Sequence, residues 1–344
     1  MEVVSTEKPS GQWQHWLIGL VTAAALWWLV GRSGEVTSVV QTISTGHWQW
    51  LALAGVVYAG SLSLASLNYK RAFAAVGISV GLREVLPTLL ASLVVGEIAP
   101  FGWAAGSAVF LRFATRQGQS TSRAAVAILL AQAADLLAFS TLFLLGMLAL
   151  FWGHHKLTIT VLTGAVLLLL LNLAFMGALL LAVGRPKTLL GLGALLQRLV
   201  GAVAGKTAGE ATLATMTKAM TGLVAAGDAI RESPKRLLGL LGAAGAANAT
   251  AVLCLFFVFE AFHQPVAFGQ LVMGFGMGTL AWIVSPIPAG IGVVEGAMAL
   301  AFASLGILPT KAAVIAITYR GISFWLPFVI GLFTLHRQNS APRG

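Results

Sequence analysis

The distribution of apolar residues along the chain predicts a bundle of membrane-spanning helices. A helix needs about 20 mostly apolar residues to cross a bilayer. Six stretches are read as such spans: Trp16–Val30, Trp48–Leu67, Ala124–Phe151, Leu157–Val183, Leu237–Phe262 and Ala312–Leu335. Strands of a membrane β-barrel alternate apolar and polar residues over about ten positions, whereas these runs are uniformly apolar. We therefore predict an all-α, polytopic protein whose residues 1–344 form a single membrane domain.

The first apolar run is predicted to be a retained helix rather than a cleaved signal peptide. It ends in Trp27, Trp28, Leu29 and Val30, and no small-residue cleavage pattern precedes the following glycine. A secretory signal peptide ends in small residues at its cleavage site. The run is therefore counted among the six spans.

Two further apolar segments contain residues that interrupt a helix. The first, Val85–Leu111, carries Gly96, Glu97, Pro100 and Gly102 near its middle. Both of its flanks are basic, which places them on the same side of the membrane. The segment is too short for two crossings, so the sequence predicts a re-entrant pair of half-helices.

The second interrupted segment is Phe268–Leu305. Its helix-breaking residues are Pro286, Pro288, Gly290 and Gly292, because proline removes a backbone donor and glycine weakens a helix. Irregular backbone at membrane depth is tolerated only where it is buried in protein or lines a cavity. A re-entrant pair and two full crossings both fit the length of this segment.

The two interrupted segments occupy matching places in the chain. Residues 48–151 and 237–335 each follow the order span, broken pair, span, in opposite orientations, and an amphipathic connector over 185–236 joins them. This order predicts an inverted-topology repeat, in which paired interrupted segments mark a transport site near the bilayer midplane. The N-termini of half-helices there suit phosphate or carboxylate groups.

Composition and charge agree with the membrane interpretation. The chain is 58% hydrophobic and 9% charged, whereas soluble proteins carry about 25% charged residues. The net charge of +10 fits cytoplasmic loops rather than nucleic-acid binding, since Lys and Arg concentrate on the inner side. This rule places the connector and both termini in the cytoplasm. The connector fits either recruitment of anionic lipid or an ordinary connecting hairpin.

Ionisable side chains inside membrane segments are costly and mark functional sites. Five are predicted to bind the substrate or a coupling ion: Glu97, Arg112, Asp135, Glu295 and Arg320. Arginine offers a planar fork of donors to phosphate, and the carboxylates suit a cationic head group or a coupling proton. Internal ion pairs that hold the bundle together remain the alternative, and Arg112 also fits an ordinary cytoplasmic-side residue.

No cofactor or metal is expected. The six histidines show no metal-ligand spacing, and the chain contains no nucleotide fingerprint and no nucleophile elbow. The lone Cys254 lies in an apolar run, where a free cysteine usually acts as a small hydrophobic residue.

Four short motifs resemble one known family. Pro288–Gly296 is similar to its Pro-Gly-Gly-x-Gly-x-x-Glu pattern, and Tyr319–Pro327 to its Arg…Trp-Leu-Pro segment. Gly96-Glu97 with Arg112 resembles its Gly-Glu…Arg element, and Asp135-Leu136-Leu137 the end of its Glu-Arg-x-x-Asp-Leu-Leu element. The family is that of lysylphosphatidylglycerol synthase/flippase-like transmembrane proteins. Departures are Ala289, where the pattern has glycine, and Ala131 with Gln132, where it often has Glu and Arg.

The resemblance implies a flippase-type bundle in a prokaryotic cytoplasmic membrane. In the multiple peptide resistance factor such a bundle moves lysyl-phosphatidylglycerol, which a separate soluble domain makes. The expected partners are therefore membrane lipids with anionic phosphate or aminoacylated head groups, with a separate lipid-modifying synthase as a further candidate. No catalytic activity is expected of this chain.

Two alternatives to a lipid transporter remain. One is a membrane-embedded enzyme acting on a lipid-linked substrate, with Glu97 and Glu295 as its acid/base pair. The other is a non-transporting partner that positions a lipid synthase.

Overall fold

The protein is built from helices that pack side by side. A computed structural model describes residues 46–98, 102–152, 159–204, 221, 224, 234–285 and 287–340. Its α-helices are α1 (Trp48–Ala75), α2 (Leu82–Ile98), α3 (Gly102–Arg116), α4 (Thr121–Trp152), α5 (Ile159–Gly184), α6 (Pro186–Ala204), α7 (Pro234–Ala261), α8 (Phe268–Val284), α9 (Val293–Ser304), α10 (Pro309–Arg320) and α11 (Leu326–Ser340). No strand occurs in these ranges. The prediction of an all-α, polytopic membrane protein is confirmed.

Four helical stretches of the described chain are long and apolar enough to cross a membrane. They are Trp48–Ala75, Thr121–Trp152, Leu238–Ala261 and Pro309–Leu335, and each overlaps a span that the sequence predicts. The predicted span Leu157–Val183 corresponds to α5, a helix of 26 residues. The predicted span Trp16–Val30 lies outside the described residues.

Helices α1 and α7 pack along each other and run antiparallel. At one end Trp50 stacks on Phe257 with ring centroids 5.7 Å apart. Near the middle the Ser61 hydroxyl donates to the Ala247 carbonyl at 2.8 Å. At the other end the Arg71 guanidinium donates to the Gly239 carbonyl. The side-chain bonds replace contacts with water that a membrane interior does not provide.

Each interrupted segment folds as a helical hairpin. In the first, α2 packs on α3 so closely that a Cβ at Gly106 would lie 2.9 Å from the Ser92 carbonyl oxygen. In the second, α8 packs on α9, and Gly274 leaves the space that the Phe302 ring fills. The small residues allow this approach, as at other helix contacts within membranes.

The hairpin helices are short. Helices α2 and α8 have 17 residues each, and α9 has 12. At 1.5 Å per residue they rise about 26 Å and about 18 Å, less than the ~30 Å thickness of a hydrocarbon core.

The last predicted span, Ala312–Leu335, is not a uniform helix. It begins earlier, at Pro309, and a π-helical turn over Gly321–Trp325 separates α10 from α11. Pro327 has no N–H to donate to the Ser323 carbonyl, and its ring collides with the preceding turn. A wider turn accommodates both effects, and such π turns are frequent at functional sites.

The breaks are narrower than the sequence predicts. Gly96 was expected in the break, but α2 continues through it to Ile98, and Gly102 is already the first residue of α3. Residues 96–98 are helical, so the interruption begins only after Ile98. Pro100 and Pro286 lie outside the described residues. In the connector, α6 accounts for residues 186–204, and most of the remainder lies outside the described ranges.

Candidate functional site

The second break is a tight turn with left-handed backbone. The Gly290 N–H donates to the Ile287 carbonyl at 2.9 Å, which closes a turn over 287–290, and φ is +60° at Ala289 and at Gly290 and +80° at Gly292. Glycine adopts this conformation without steric cost, whereas an alanine Cβ crowds the carbonyl. Alanine at position 289 is therefore strained, at the position where the motif usually has glycine.

Two charged side chains hold this turn in place. Arg320 Nε donates to Glu295 Oε1 at 3.1 Å, and Arg320 Nη2 donates to the Ala289 carbonyl at 2.7 Å. The other carboxylate oxygen of Glu295 accepts the Gly292 N–H at 2.7 Å, which caps α9. The side chains of Arg320 and Glu295 are only 10% and 16% exposed. This geometry is the internal ion pair that the sequence left open as an alternative.

Arg320 and its neighbours at the π turn line one cavity. The guanidinium carbon of Arg320 lies 4.3 Å from the centre of the Phe324 ring, in cation–π contact. Tyr319, Ser323 and Phe324 join Arg320 in lining a cavity. In a regular α-helix residues 319, 320, 323 and 324 share one face, and the π turn keeps them together beside Pro327.

The first break reaches the same cavity from the other end of the chain. Glu97, near the end of α2, accepts a hydrogen bond at 3.2 Å from the Nε1–H of Trp282 near the end of α8. Helix α2 also packs along α11, where Gly331 lies close to the Leu90 carbonyl. The two interrupted segments therefore meet, although the sequence places them far apart.

The cavity has a volume of about 200 Å³. Its wall combines the polar groups of both hairpins with a set of aromatic rings. The lining residues are Tyr58, Leu93, Glu97, Phe275, Gly278, Thr279, Trp282, Val294, Met298, Tyr319, Arg320, Ser323 and Phe324.

The structure brings three of the five predicted site residues together. Glu97 and Arg320 line the cavity, and Glu295 binds Arg320 behind its wall. Arg112 is exposed on α3 and is not part of the lining. Asp135 lies on α4, also away from the cavity, and accepts a hydrogen bond from the Asn248 amide at 2.8 Å.

Several lining residues were not identified from the sequence. Tyr58 lies in an apolar span, where an aromatic residue most often signals packing. One face of α8 carries Phe275, Thr279 and Trp282 at helical spacing, next to the break that the prolines predict. That periodicity is the signal that points to this face, but it does not distinguish a cavity wall from a packed core.

The chain matches a known protein family over most of its length. The family described as "Lysylphosphatidylglycerol synthase TM region" matches residues 16–331, which confirms the resemblance seen in the motifs. Two relatives, both described as "UPF0104 membrane protein" and both from Methanothermobacter thermautotrophicus, match over shorter stretches.

One of these relatives is 35% identical over 79 residues, which is 23% of this chain and 24% of that protein. The other is 26% identical over 81 residues, which is 24% of each protein. The matched stretches therefore span about a quarter of the relatives' length.

Proposed function

The chain belongs to the lysylphosphatidylglycerol synthase TM region family, and on this premise we propose that it is a flippase-like transporter of a lipid with a polar head group. One observation supports this most: both interrupted segments converge on a cavity lined by Glu97 and Arg320. Discontinuous helices that meet near the midplane form the substrate sites of many transporters.

The charges of the cavity favour a head group that carries an amine. Arg320 is neutralised by Glu295 and bonded to the Ala289 carbonyl, so it is not poised for a phosphate. Glu97 accepts a hydrogen bond from the uncharged Trp282, and no described cation forms an ion pair with it. Aromatic faces such as Tyr58 and Trp282 also attract ammonium groups. An aminoacylated lipid fits this chemistry best.

The size of the cavity fits a mechanism in which only the head group enters it. A volume of about 200 Å³ accommodates a small amine-bearing group, whereas acyl chains are longer and gain nothing by leaving the lipid. The head group crosses through the polar cavity while the chains stay in the bilayer. This division avoids the cost of moving a charged group through hydrocarbon.

The architecture supports alternating access between two repeat units. Units 48–151 and 237–335 each contain a hairpin between long helices, and the first helices of the units, α1 and α7, run antiparallel. We place the two hairpins as re-entrant elements from opposite sides, since their helices are shorter than a full crossing. Rocking of one unit against the other exposes the cavity to each leaflet in turn.

We place the protein in a prokaryotic cytoplasmic membrane with both termini in the cytoplasm. The basic connector over 185–236 and the basic residues near the C-terminus support this orientation through the positive-inside rule.

An embedded enzyme fits the geometry less well. Both carboxylate oxygens of Glu295 are engaged, one by Gly292 and one by Arg320. A general acid or base needs an oxygen within reach of the reacting proton, so Glu295 is not free to act as the partner of Glu97.

The test is to reconstitute the pure protein in liposomes that contain trace fluorescent lipids with amine-bearing, zwitterionic or anionic head groups. Transfer is read by quenching with a membrane-impermeant reductant, and the lipids are then extracted and analysed by mass spectrometry. Faster transfer of the amine-bearing lipid, with its mass unchanged, supports the transporter. A new lipid product indicates an enzyme, and neither transfer nor product indicates a non-transporting partner.

A further inference from the structure

A second polar cluster lies away from the cavity, around Asp135. This residue occupies the middle of α4, a 32-residue helix whose other charged residue, Arg123, lies near its start. The Asn248 side chain of α7 donates to Asp135 Oδ1 at 2.8 Å, while Asn248 itself is buried. No described Lys, Arg or His forms an ion pair with Asp135.

The carboxylate of Asp135 is also accessible. The residue is exposed, although an ionised group at this depth is costly when it faces lipid. Polar side chains on the neighbouring turn extend the cluster, since the Gln132 amide donates to Ser107 of α3 at 2.9 Å. The Asp135 carboxylate therefore lies beside polar side chains of α4 and α7.

A second observation points to a missing partner in this region. The Asn68 Nδ2 group of α1 donates to the Ala131 carbonyl at 2.9 Å, one helical turn before Asp135. Asn68 is only 2% exposed, and its Oδ1 has no hydrogen-bond partner among the described residues. A buried acceptor left without a partner costs about 1–3 kcal/mol, so it calls for a bound group that supplies a positive charge or a donor.

We propose that Asp135, together with the amide oxygens of Asn68 and Asn248, binds a small monovalent metal cation. Asn248 uses its Nδ2 for both of its hydrogen bonds, so its oxygen stays available as a ligand. Hard cations prefer such oxygen ligands, and divalent ions usually recruit more than one carboxylate. One carboxylate with neutral oxygens matches the charge of Na⁺ or K⁺.

The site is distinct from the head-group cavity, because none of Asp135, Asn68 and Asn248 lines that cavity. Its existence does not depend on lipid transport. A cation at concentration c that binds the folded chain but not the unfolded chain stabilises the fold by RT ln(1 + c/Kd), so the effect is measurable without any transport assay.

The experiment compares thermal unfolding of the full-length purified protein in NaCl, KCl and choline chloride at equal ionic strength. Wild type is measured beside Asp135→Asn, which keeps the acceptor for Asn248, and Glu97→Gln, which removes a carboxylate from the other site. We expect Na⁺ or K⁺ to raise the Tm of wild type and Glu97→Gln by about 3 °C or more over choline, and to leave Asp135→Asn unchanged.

Equal Tm values of the wild type in all three salts overturn the proposal, and so does an undiminished cation effect in Asp135→Asn. If Asp135→Asn does not fold, Asn68→Ala replaces it and is expected to weaken cation binding to the protein at least tenfold. Binding of radioactive Na⁺ measured with the same proteins gives the direct reading. If an amine-bearing lysolipid raises the Tm of wild type but not of Asp135→Asn, and alkali ions do neither, the site belongs to lipid and the proposal is also overturned.

Discussion

The indole Nε1–H of Trp282 donates a hydrogen bond to the Glu97 carboxylate at 3.2 Å across 185 residues of sequence. This bond joins the ends of two helices, α2 and α8, that lie next to the two interruptions of the membrane segments. Because the rest of the cavity wall comes from α1, α9, α10 and the π turn after α10, the contact closes a site built by both halves of the chain. The proposed transport mechanism requires this bond to form and break as the halves move.

The ion pair at the second break is expected to stabilise the fold rather than to bind substrate. Arg320→Met leaves Glu295 largely buried without its partner, which costs about 3 kcal/mol when a buried pair is broken. Adding Glu295→Gln removes the stranded charge, so the double variant should be more stable than Arg320→Met alone. Thermal unfolding of the two single variants and the double variant measures this coupling.

Strictly additive losses in these variants would show that the pair contributes nothing as a unit. In that case the Arg320 guanidinium would be available to bind a phosphate group.

The strained alanine in the turn predicts a stabilising substitution. Ala289 has φ of +60°, and a left-handed conformation costs a non-glycine residue roughly 1–2 kcal/mol. Ala289→Gly should therefore raise the free energy of unfolding by about 1 kcal/mol, after allowance for the greater flexibility of glycine in the unfolded chain. Ala299→Gly, inside helix α9, is the control and should lower it by about 1 kcal/mol. A loss of stability in both variants would contradict the assigned backbone.

The tight packing of the second hairpin predicts a destabilising substitution. An added Cβ at Gly274 collides with the Phe302 ring, and overpacking of this kind costs about 1–3 kcal/mol. Gly242→Ala is the matched control, because a Cβ at Gly242 meets no atom within 4 Å and alanine favours the helix. Thermal unfolding of both variants decides the point. Equal stability of Gly274→Ala and Gly242→Ala would show that α8 and α9 are not in contact.

The rate at which charged reagents modify a single cysteine in the cavity wall measures the water access and the charge of the cavity. The chain's one cysteine, Cys254, is buried, so Thr279→Cys in a Cys254→Ala background places the reactive thiol in the cavity wall. A cationic methanethiosulfonate should modify it several-fold faster than an anionic one of similar size, because Glu97 attracts positive charge. Glu97→Gln should remove the difference. Faster reaction with the anionic reagent would contradict the negative cavity.

The sequence predicts the helical architecture well because a bilayer imposes one strong constraint. Long apolar runs identify α1, α4, α7 and the stretch from α10 to α11, and the prolines and glycines identify the second break. The same constraint identifies Glu97, Glu295 and Arg320, since a charged side chain in an apolar membrane segment is costly unless it is paired or functional. These inferences depend on local composition, which the sequence displays directly.

The parts that the sequence does not predict depend on how distant segments pack. The Trp282–Glu97 hydrogen bond forms only when the two hairpins pack together. The sequence around either residue does not indicate the other. The π turn after Arg320 is not predicted, because a proline inside a membrane helix such as Pro327 is compatible with a continuous span. The pairing of Arg320 with Glu295 and its bond to Ala289 depend on the left-handed turn, whose exact path no pattern specifies.

The measurement that tests the central claim most directly is the rate of head-group-dependent lipid transfer by Glu97→Gln. The substitution keeps an acceptor for Trp282 and removes the negative charge, so the fold and the cavity wall are retained. Glu260→Gln, an acidic residue outside the cavity lining, is the control. We predict that Glu97→Gln lowers the transfer of the amine-bearing lipid about tenfold or more, as the loss of a charge-assisted contact of about 1.5–3 kcal/mol implies, while Glu260→Gln transfers it at the wild-type rate. Wild-type transfer by folded Glu97→Gln would contradict the assignment of this cavity as the head-group site.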